Sequence, residues 1–241
     1  DGEFTIPVLI TNKHVVNYNR NETVKFLLHL NEGDGSTKEN FAITLQTEWF
    51  FHSEKDLCFI FINPIFEEVK KRTGKQVFYI ANEESLIPSK EKLMELSAVY
   101  PFLNRIIMIG YPIGLWDSKH NYPIFRKGYT ASHPAYDFNE KGIALADIAA
   151  FPGSSGSPIY ILNENGYSDK KRTTYLGAKR LIFLGVLYAG PTINANGEVS
   201  VIDIPTQQKI SRTSIMTNLG YYVKSEELLE FRSIISQKLN K

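Results

Sequence analysis

The residues best suited to chemistry in this chain lie in Phe151-Pro152-Gly153-Ser154-Ser155-Gly156-Ser157-Pro158. The composition is that of a tight polar loop, and the apolar run Ile159-Tyr160-Ile161-Leu162 leads out of it. A serine hydroxyl attacks a carbonyl only when a base takes its proton and backbone N–H groups receive the charge that develops on the carbonyl oxygen. Gly153 and Gly156 suit such a loop, because glycine accepts φ > 0 and has no Cβ to obstruct a substrate. A polar turn between two strands is the other reading of the same octapeptide.

The chain order of the partner residues separates the architectures that use a serine nucleophile. All five histidines, His14, His29, His52, His120 and His133, precede Ser155. An α/β-hydrolase carries its histidine after the serine, and its Gly-x-Ser-x-Gly elbow fails here because Ser157 stands where the last glycine belongs. A subtilisin order needs an aspartate before the histidine, and only Asp1 precedes His14. The order that remains is His, Asp, Ser. Two segments fit it. In Pro7–Val16 an apolar strand ends in a polar turn that presents His14. In His52–Ile62 a lone aspartate, Asp56, heads an apolar run that reads as a buried strand. A surface histidine and a turn-forming aspartate are the ordinary readings of the two residues taken singly. Their joint occurrence in the one permitted order favours the nucleophile loop.

Thr11-Asn12-Lys13-His14-Val15-Val16, Lys55-Asp56-Leu57 and Pro152–Pro158 together resemble the chymotrypsin-fold serine proteases, most closely the bacterial trypsin-like peptidases of the HtrA type. Ile107–Leu115, Arg126–Ser132 and Leu184–Gly190 are similar to further strands of that family, so the likeness runs from about residue 7 to about residue 220. The resemblance implies a mainly β fold of two six-stranded antiparallel barrels, with a short helical insertion and a C-terminal helix. It implies His14, Asp56 and Ser155 as a catalytic triad. It implies an oxyanion hole in the Gly153, Ser154, Ser155 loop, with the N–H groups of Gly153 and Ser155 as donors. The substrate pocket then involves Ala149, Tyr188, Ala189 and Gly190. Ala149 brings no acid for a basic P1 side chain, and Leu187 stands where glutamate-selective relatives place a histidine, so a small-to-medium apolar P1 is expected. Ser154 occupies the place of the acid that pairs with a new N-terminus in digestive relatives. No activation by N-terminal insertion is expected, and a regulatory partner would act on loop order instead. A catalytically latent, protease-fold module that binds extended peptides is the alternative reading.

The remaining sequence must position these residues. The expected division is residues 1–104, an N-terminal barrel with the helical insertion, and residues 105–241, a C-terminal barrel with the terminal helix. Strand patterns cover Glu3–Ile10, Thr23–Leu30, Phe41–Trp49 and Leu57–Ile62, with a turn cluster over Asn31–Ser36. Helical patterns cover Pro64–Arg72 and Ser89–Leu96, with Ser89 as N-cap, and residues 225–240, with Ser225 as cap. Turns are expected at Asn163–Gly166 and Asn194–Gly197, and a solvated hairpin tip at Lys170-Lys171-Arg172. Only 13 residues precede His14, so the first barrel is expected to lack an upstream strand.

Of the 241 residues, 43% are hydrophobic and 22% charged, which suffices for a substantial core, and the net charge of +1 gives no nucleic-acid footprint. No apolar run reaches the ~20 residues of a membrane span, and no HExxH or paired Cys/His spacing points to a metal. No cofactor is implied, and the expected partner is a protein or peptide substrate. The single cysteine, Cys58, lies in an apolar strand and reads as core. One cysteine and no visible signal peptide suggest a cytoplasmic protein, with periplasmic or secreted placement left open.

Overall fold

The computed structural model of the chain describes residues 5–31, 38–96, 103–198 and 210–239, and these are mainly β. The first half runs through β1 (Val8–Thr11), β2 (Thr23–Asn31), β3 (Asn40–Gln46), β4 (Phe50–Phe51), β5 (Cys58–Phe61), α1 (Asn63–Thr73), β6 (Gln76–Phe78) and α2 (Lys90–Met94). The second half holds β7 (Arg105–Gly110), β8 (Ile124–Thr130), β9 (Ile143–Asp147), β10 (Pro158–Asn163), β11 (Gly166–Ser168), β12 (Thr174–Leu176) and β13 (Arg180–Ala189). It continues with β14 (Thr192–Glu198), β15 (Ile210–Met216), β16 (Leu219–Lys224) and α3 (Phe231–Leu239).

The second half forms a closed antiparallel barrel in the order β10-β13-β16-β9-β8-β7. Its strands alternate sides, as at β7, where Ile106 and Met108 turn inward between more exposed neighbours. Ile106, Met108, Ala144, Ala146, Ile159, Ile161, Ile182, Leu184 and Tyr222 fill the interior. Two separate two-stranded antiparallel sheets, β11-β12 and β14-β15, accompany it. The first carries Lys170, Lys171 and Arg172 at its exposed tip, as expected from the sequence.

A second closed barrel is not found among the described residues. The first half consists instead of two three-stranded sheets, β1-β5-β4 and β3-β2-β6, that share one core. That core holds Phe26, Leu30, Ile43, Trp49, Cys58 and Ile60, and α1 adds Ile65 and Val69. The stretch expected as a helical insertion is therefore divided: α1 belongs to this half, while Leu93 of α2 and Leu96 just after it pack into the barrel core. β6, unrecognised in the sequence because it is only three residues long, pairs with β2 just after α1. Ser89 caps α2 by accepting a hydrogen bond from Lys92 N at 3.2 Å.

Other local expectations fail for identifiable reasons. Ser225 is not an N-cap: a 3₁₀ turn, Ser225–Glu230, precedes α3, and Ser225 is its first residue and buried. The Asn194–Gly197 turn is strand, because its backbone ladders with β15 from Asn194↔Ser214 to Gly197↔Ser211. Residues 3–4 of the first expected strand, and 32–36 of the expected turn, lie outside the described residues. No helix among the described residues is long and apolar enough to cross a membrane.

A third cluster joins the halves. Phe59 and Phe61 of β5 pack with Tyr160, Phe183, Val186 and Val223 of the barrel and with Phe231 of α3. β5 thus serves two cores. Cys58 and Ile60 face the first-half core, while Phe59 and Phe61 face the second. This explains why the run is apolar at every position and not at alternate ones. Phe59 is fully buried, with ring centroids 5.1 Å from Phe50, 5.5 Å from Phe61 and 4.8 Å from Phe231. Phe59→Ala is expected to destabilise the protein by about 3–5 kcal/mol, measured by denaturant unfolding. A loss under about 1 kcal/mol would show that this contact does not bind the halves together.

Candidate active site

Antiparallel pairing sets the first two residues side by side. β1 pairs with β5 in the register Thr11↔Cys58, so the exit of β1 and the entry of β5 lie at one end of the ladder. His14 follows the one and Asp56 precedes the other. Beyond Thr11, the extended and fully buried Asn12 begins a 3₁₀ turn over Lys13–Val16. Val16 anchors the turn in the core and Val15 faces outward, which leaves His14 at the rim. Asn17 closes the turn in the left-handed region (φ 53°), and its N–H donates to His14 O at 3.1 Å.

Asp56 is held from several directions. Asn12 Nδ2 donates to its backbone oxygen at 2.8 Å, and His14 N donates to Oδ1 at 3.2 Å. The other carboxylate oxygen, Oδ2, lies 2.5 Å from His14 Nδ1. An ionised carboxylate only accepts, so Nδ1 carries the proton and Nε2 of the neutral ring is the acceptor. Nε2 lies 2.8 Å from Ser155 Oγ. Asp56, His14 and Ser155 therefore form one continuous hydrogen-bonded chain between the two halves. The side chains of His14 and Asp56 are 35% and 20% exposed, so the chain opens to solvent at the histidine.

Ser155 is positioned by the loop from β9 to β10. Ile148, Ala150 and Ser154 are buried, which roots the loop in the barrel. Gly156 N donates to Leu187 O at 2.9 Å, and Leu187 N returns a bond to Ser157 O at 2.9 Å, tying the loop to β13. Gly156 has φ +83°, and a Cβ there would sit 2.6 Å from Thr11 Oγ1. The missing side chain thus lets the end of β1 approach, which is what brings His14 to Ser155.

The amides of the loop are not equivalent. Ser154 N donates to Phe151 O at 3.0 Å and is therefore unavailable as an anion donor. Among the described residues, the N–H groups of Gly153 and Ser155 make no backbone hydrogen bond. Pro152 O accepts from Ile113 N at 2.6 Å. The C=O and N–H of one trans peptide point in opposite directions, so this bond directs Gly153 N–H away from Ile113. Gly153 itself has φ +83°.

The remaining expected residues gather unevenly. Tyr188 O is 3.5 Å from Ser155 Oγ, and Tyr188, Ala189 and Gly190 are the half-buried end of β13 and its continuation. Ala149 lies in the β9–β10 loop, and its carbonyl accepts from Arg126 Nη1. Burial pushes the Cys58 thiol up to about 12, with the nearby Asp56 charge adding to the effect, so it is no second nucleophile. Burial likewise raises the Tyr188 hydroxyl. Among the described residues, no group of three or more His, Cys, Asp and Glu side chains is arranged to hold a metal ion.

Three contributors were not picked out as site residues in the sequence: Asn12, Arg126 and His52. Asn12 had a weak signal, a polar residue at the end of an apolar strand. Arg126 had none, because its partners are more than 20 residues away. His52 shapes the loop before Asp56. Its Nδ1 accepts from Glu54 N at 3.1 Å and Lys55 N at 3.0 Å, and its Nε2 lies 3.2 Å from Glu230 Oε2. The chain matches no family model, and no curated protein matches it.

Burial lowers the pKa of His52 below its ordinary 6.5; the Glu230 carboxylate opposes this, while Lys13 and Lys55 reinforce it. The unfolded chain therefore takes up this proton at a higher pH than the folded one. The stability linked to His52 is full above the ordinary value and is lost as pH falls toward the folded value. Protonation of Nδ1 also removes the acceptor for Glu54 and Lys55. Thermal stability is expected to fall as the pH drops below about 6.5, and His52→Gln to flatten that slope. An unchanged slope in the variant would assign it to other groups.

Proposed function

We propose that the chain is a serine endopeptidase of the chymotrypsin-like, two-barrel kind, acting through an acyl-enzyme intermediate. The observation that carries this reading is the chain from Asp56 through His14 to Ser155, with contacts of 2.5 and 2.8 Å. Ser155 Oγ attacks the scissile carbonyl and passes its proton to His14 Nε2. Asp56 keeps the ring in the productive tautomer and stabilises the imidazolium. The N–H groups of Gly153 and Ser155 receive the oxyanion, since neither is bonded to backbone and Ser154 N–H is. His14 then protonates the leaving amine, and water repeats the sequence to release the acid. The six strands and shared core of the first half support counting it as the partner of the closed barrel.

The substrate is a protein or peptide strand laid along Tyr188, Ala189 and Gly190. The P1 side chain is small to medium and apolar. A peptide library should be cut mainly after such residues, read by mass spectrometry; cleavage mainly after Arg would overturn this specificity.

A fluorophosphonate probe should label the protein, with labelling abolished in Ser155→Ala. Asp56→Asn should lower turnover by about 10⁴-fold, because the ring then settles in the wrong tautomer. Absence of labelling in the intact chain would leave peptide binding without cleavage as the reading.

A further inference from the structure

Digestive proteases lock the nucleophile loop with an ion pair made by the residue before the serine. Here that residue is Ser154, buried to 1% exposure, and its Oγ has no hydrogen-bond partner. The loop must be held from elsewhere. Its downstream limb is tied to Ile113 through Pro152 O and to Leu187 through Gly156 N. Its upstream limb, Ala149–Phe151, meets the side chain of Arg126.

Arg126 lies on β8, where Ile124, Arg126 and Gly128 are half-buried and alternate with the exposed Phe125, Lys127 and Tyr129. In the β7 ladder it stands opposite Met108, a residue of the barrel interior. From there its Nη1 donates to Ala149 O, and its guanidinium carbon lies 5.0 Å from the Phe151 ring centroid. Among the described residues, Arg126 forms no ion pair with a carboxylate. A partly desolvated cation aimed at a neutral carbonyl is a strong and directional donor. Burial also lowers its pKa, as expected where no anion compensates it.

We propose that Arg126 is a positioning residue: it braces Ala149 and Phe151 so that the Gly153 amide stays open for an oxyanion. The proposal rests on the protease reading. The coupling is short. Phe151 O accepts from Ser154 N, and Pro152 and Gly153 follow Phe151 directly. Losing the guanidinium releases the upstream end of this turn, which leaves the Ile113 bond to Pro152 O to hold the 152–153 peptide alone, so its amide leaves the oxyanion position more often. Its loss affects the transition state far more than bound substrate, so kcat falls and KM changes little.

The test compares the intact chain with Arg126→Ala, Arg126→Lys and Arg126→Gln. The fluorophosphonate reaction and turnover of an apolar-P1 peptide are followed, with thermal unfolding as the control for folding. Arg126→Ala should slow phosphonylation by about 10²-fold, the loss typical of one oxyanion donor. Low concentrations of guanidinium ion should restore part of the rate in Arg126→Ala, and Arg126→Lys should fall in between. Backbone amide exchange over 149–156 should quicken in Arg126→Ala whether or not the chain proves active. Labelling and exchange at intact-chain levels in Arg126→Ala overturn the brace. So does a loss confined to substrates with an acidic residue, which would make Arg126 a reader of substrate carboxylates. Failure of the intact chain to label overturns the protease reading itself, and amide exchange still decides the brace.

Discussion

The structure depends on a single strand buried on both faces. β5 sends Cys58 and Ile60 into the first-half core and Phe59 and Phe61 into the cluster shared with the barrel and α3. Full burial of Phe59 and Ile60 contributes roughly 3–6 kcal/mol of apolar transfer energy at the usual 1.5–3 kcal/mol each, and Cys58 and the half-buried Phe61 add to it. Such a strand cannot slip by one residue, because every side chain would then change cores. Its register with β1 is therefore firm, and Asp56 and His14 inherit their relative placement from it.

The hydrogen-bonded chain is assembled across the seam between the halves. His14 and Asp56 come from one side and Ser155 from the other, and the contact requires that nothing intervene between Thr11 and Gly156. The same seam explains how polar groups are tolerated so close to three apolar clusters. Asn12, fully buried, directs its amide to Asp56 O, and Lys224, also buried, is neutralised by Asp137 and Glu226 at 2.7 and 2.5 Å. A buried charge left without such partners would cost several kcal/mol.

Legibility in the sequence followed the range of the interaction. The strand β2, the helix α1 and the cap at Ser89 depend on local pattern, and the sequence reading placed them within a residue or two. The β6 strand, the 3₁₀ turn after Lys224 and the ladder over Asn194–Gly197 depend on partners distant along the chain, and each overrode local preference. In the last case turn-forming Asn and Gly residues became strand because their backbone groups found β15. The closed barrel was expected twice and is found once among the described residues, since strand count is legible from pattern but sheet closure is decided by which edges meet.

The candidate site shows the same division. Residue type and chain order, together with the likeness of three motifs to chymotrypsin-fold proteases, singled out His14, Asp56 and Ser155, and order excluded the hydrolase architectures that need a histidine after the serine, because those arguments concern order and chemical identity. Tertiary structure decided the rest. It brought the three side chains to 2.5 and 2.8 Å, bonded the Ser154 amide to Phe151 while leaving those of Gly153 and Ser155 without a backbone partner, and set Arg126 against Ala149. Distances, amide directions and the neighbours of a loop come from packing between segments far apart in the chain, and one-dimensional spacing carries no record of them.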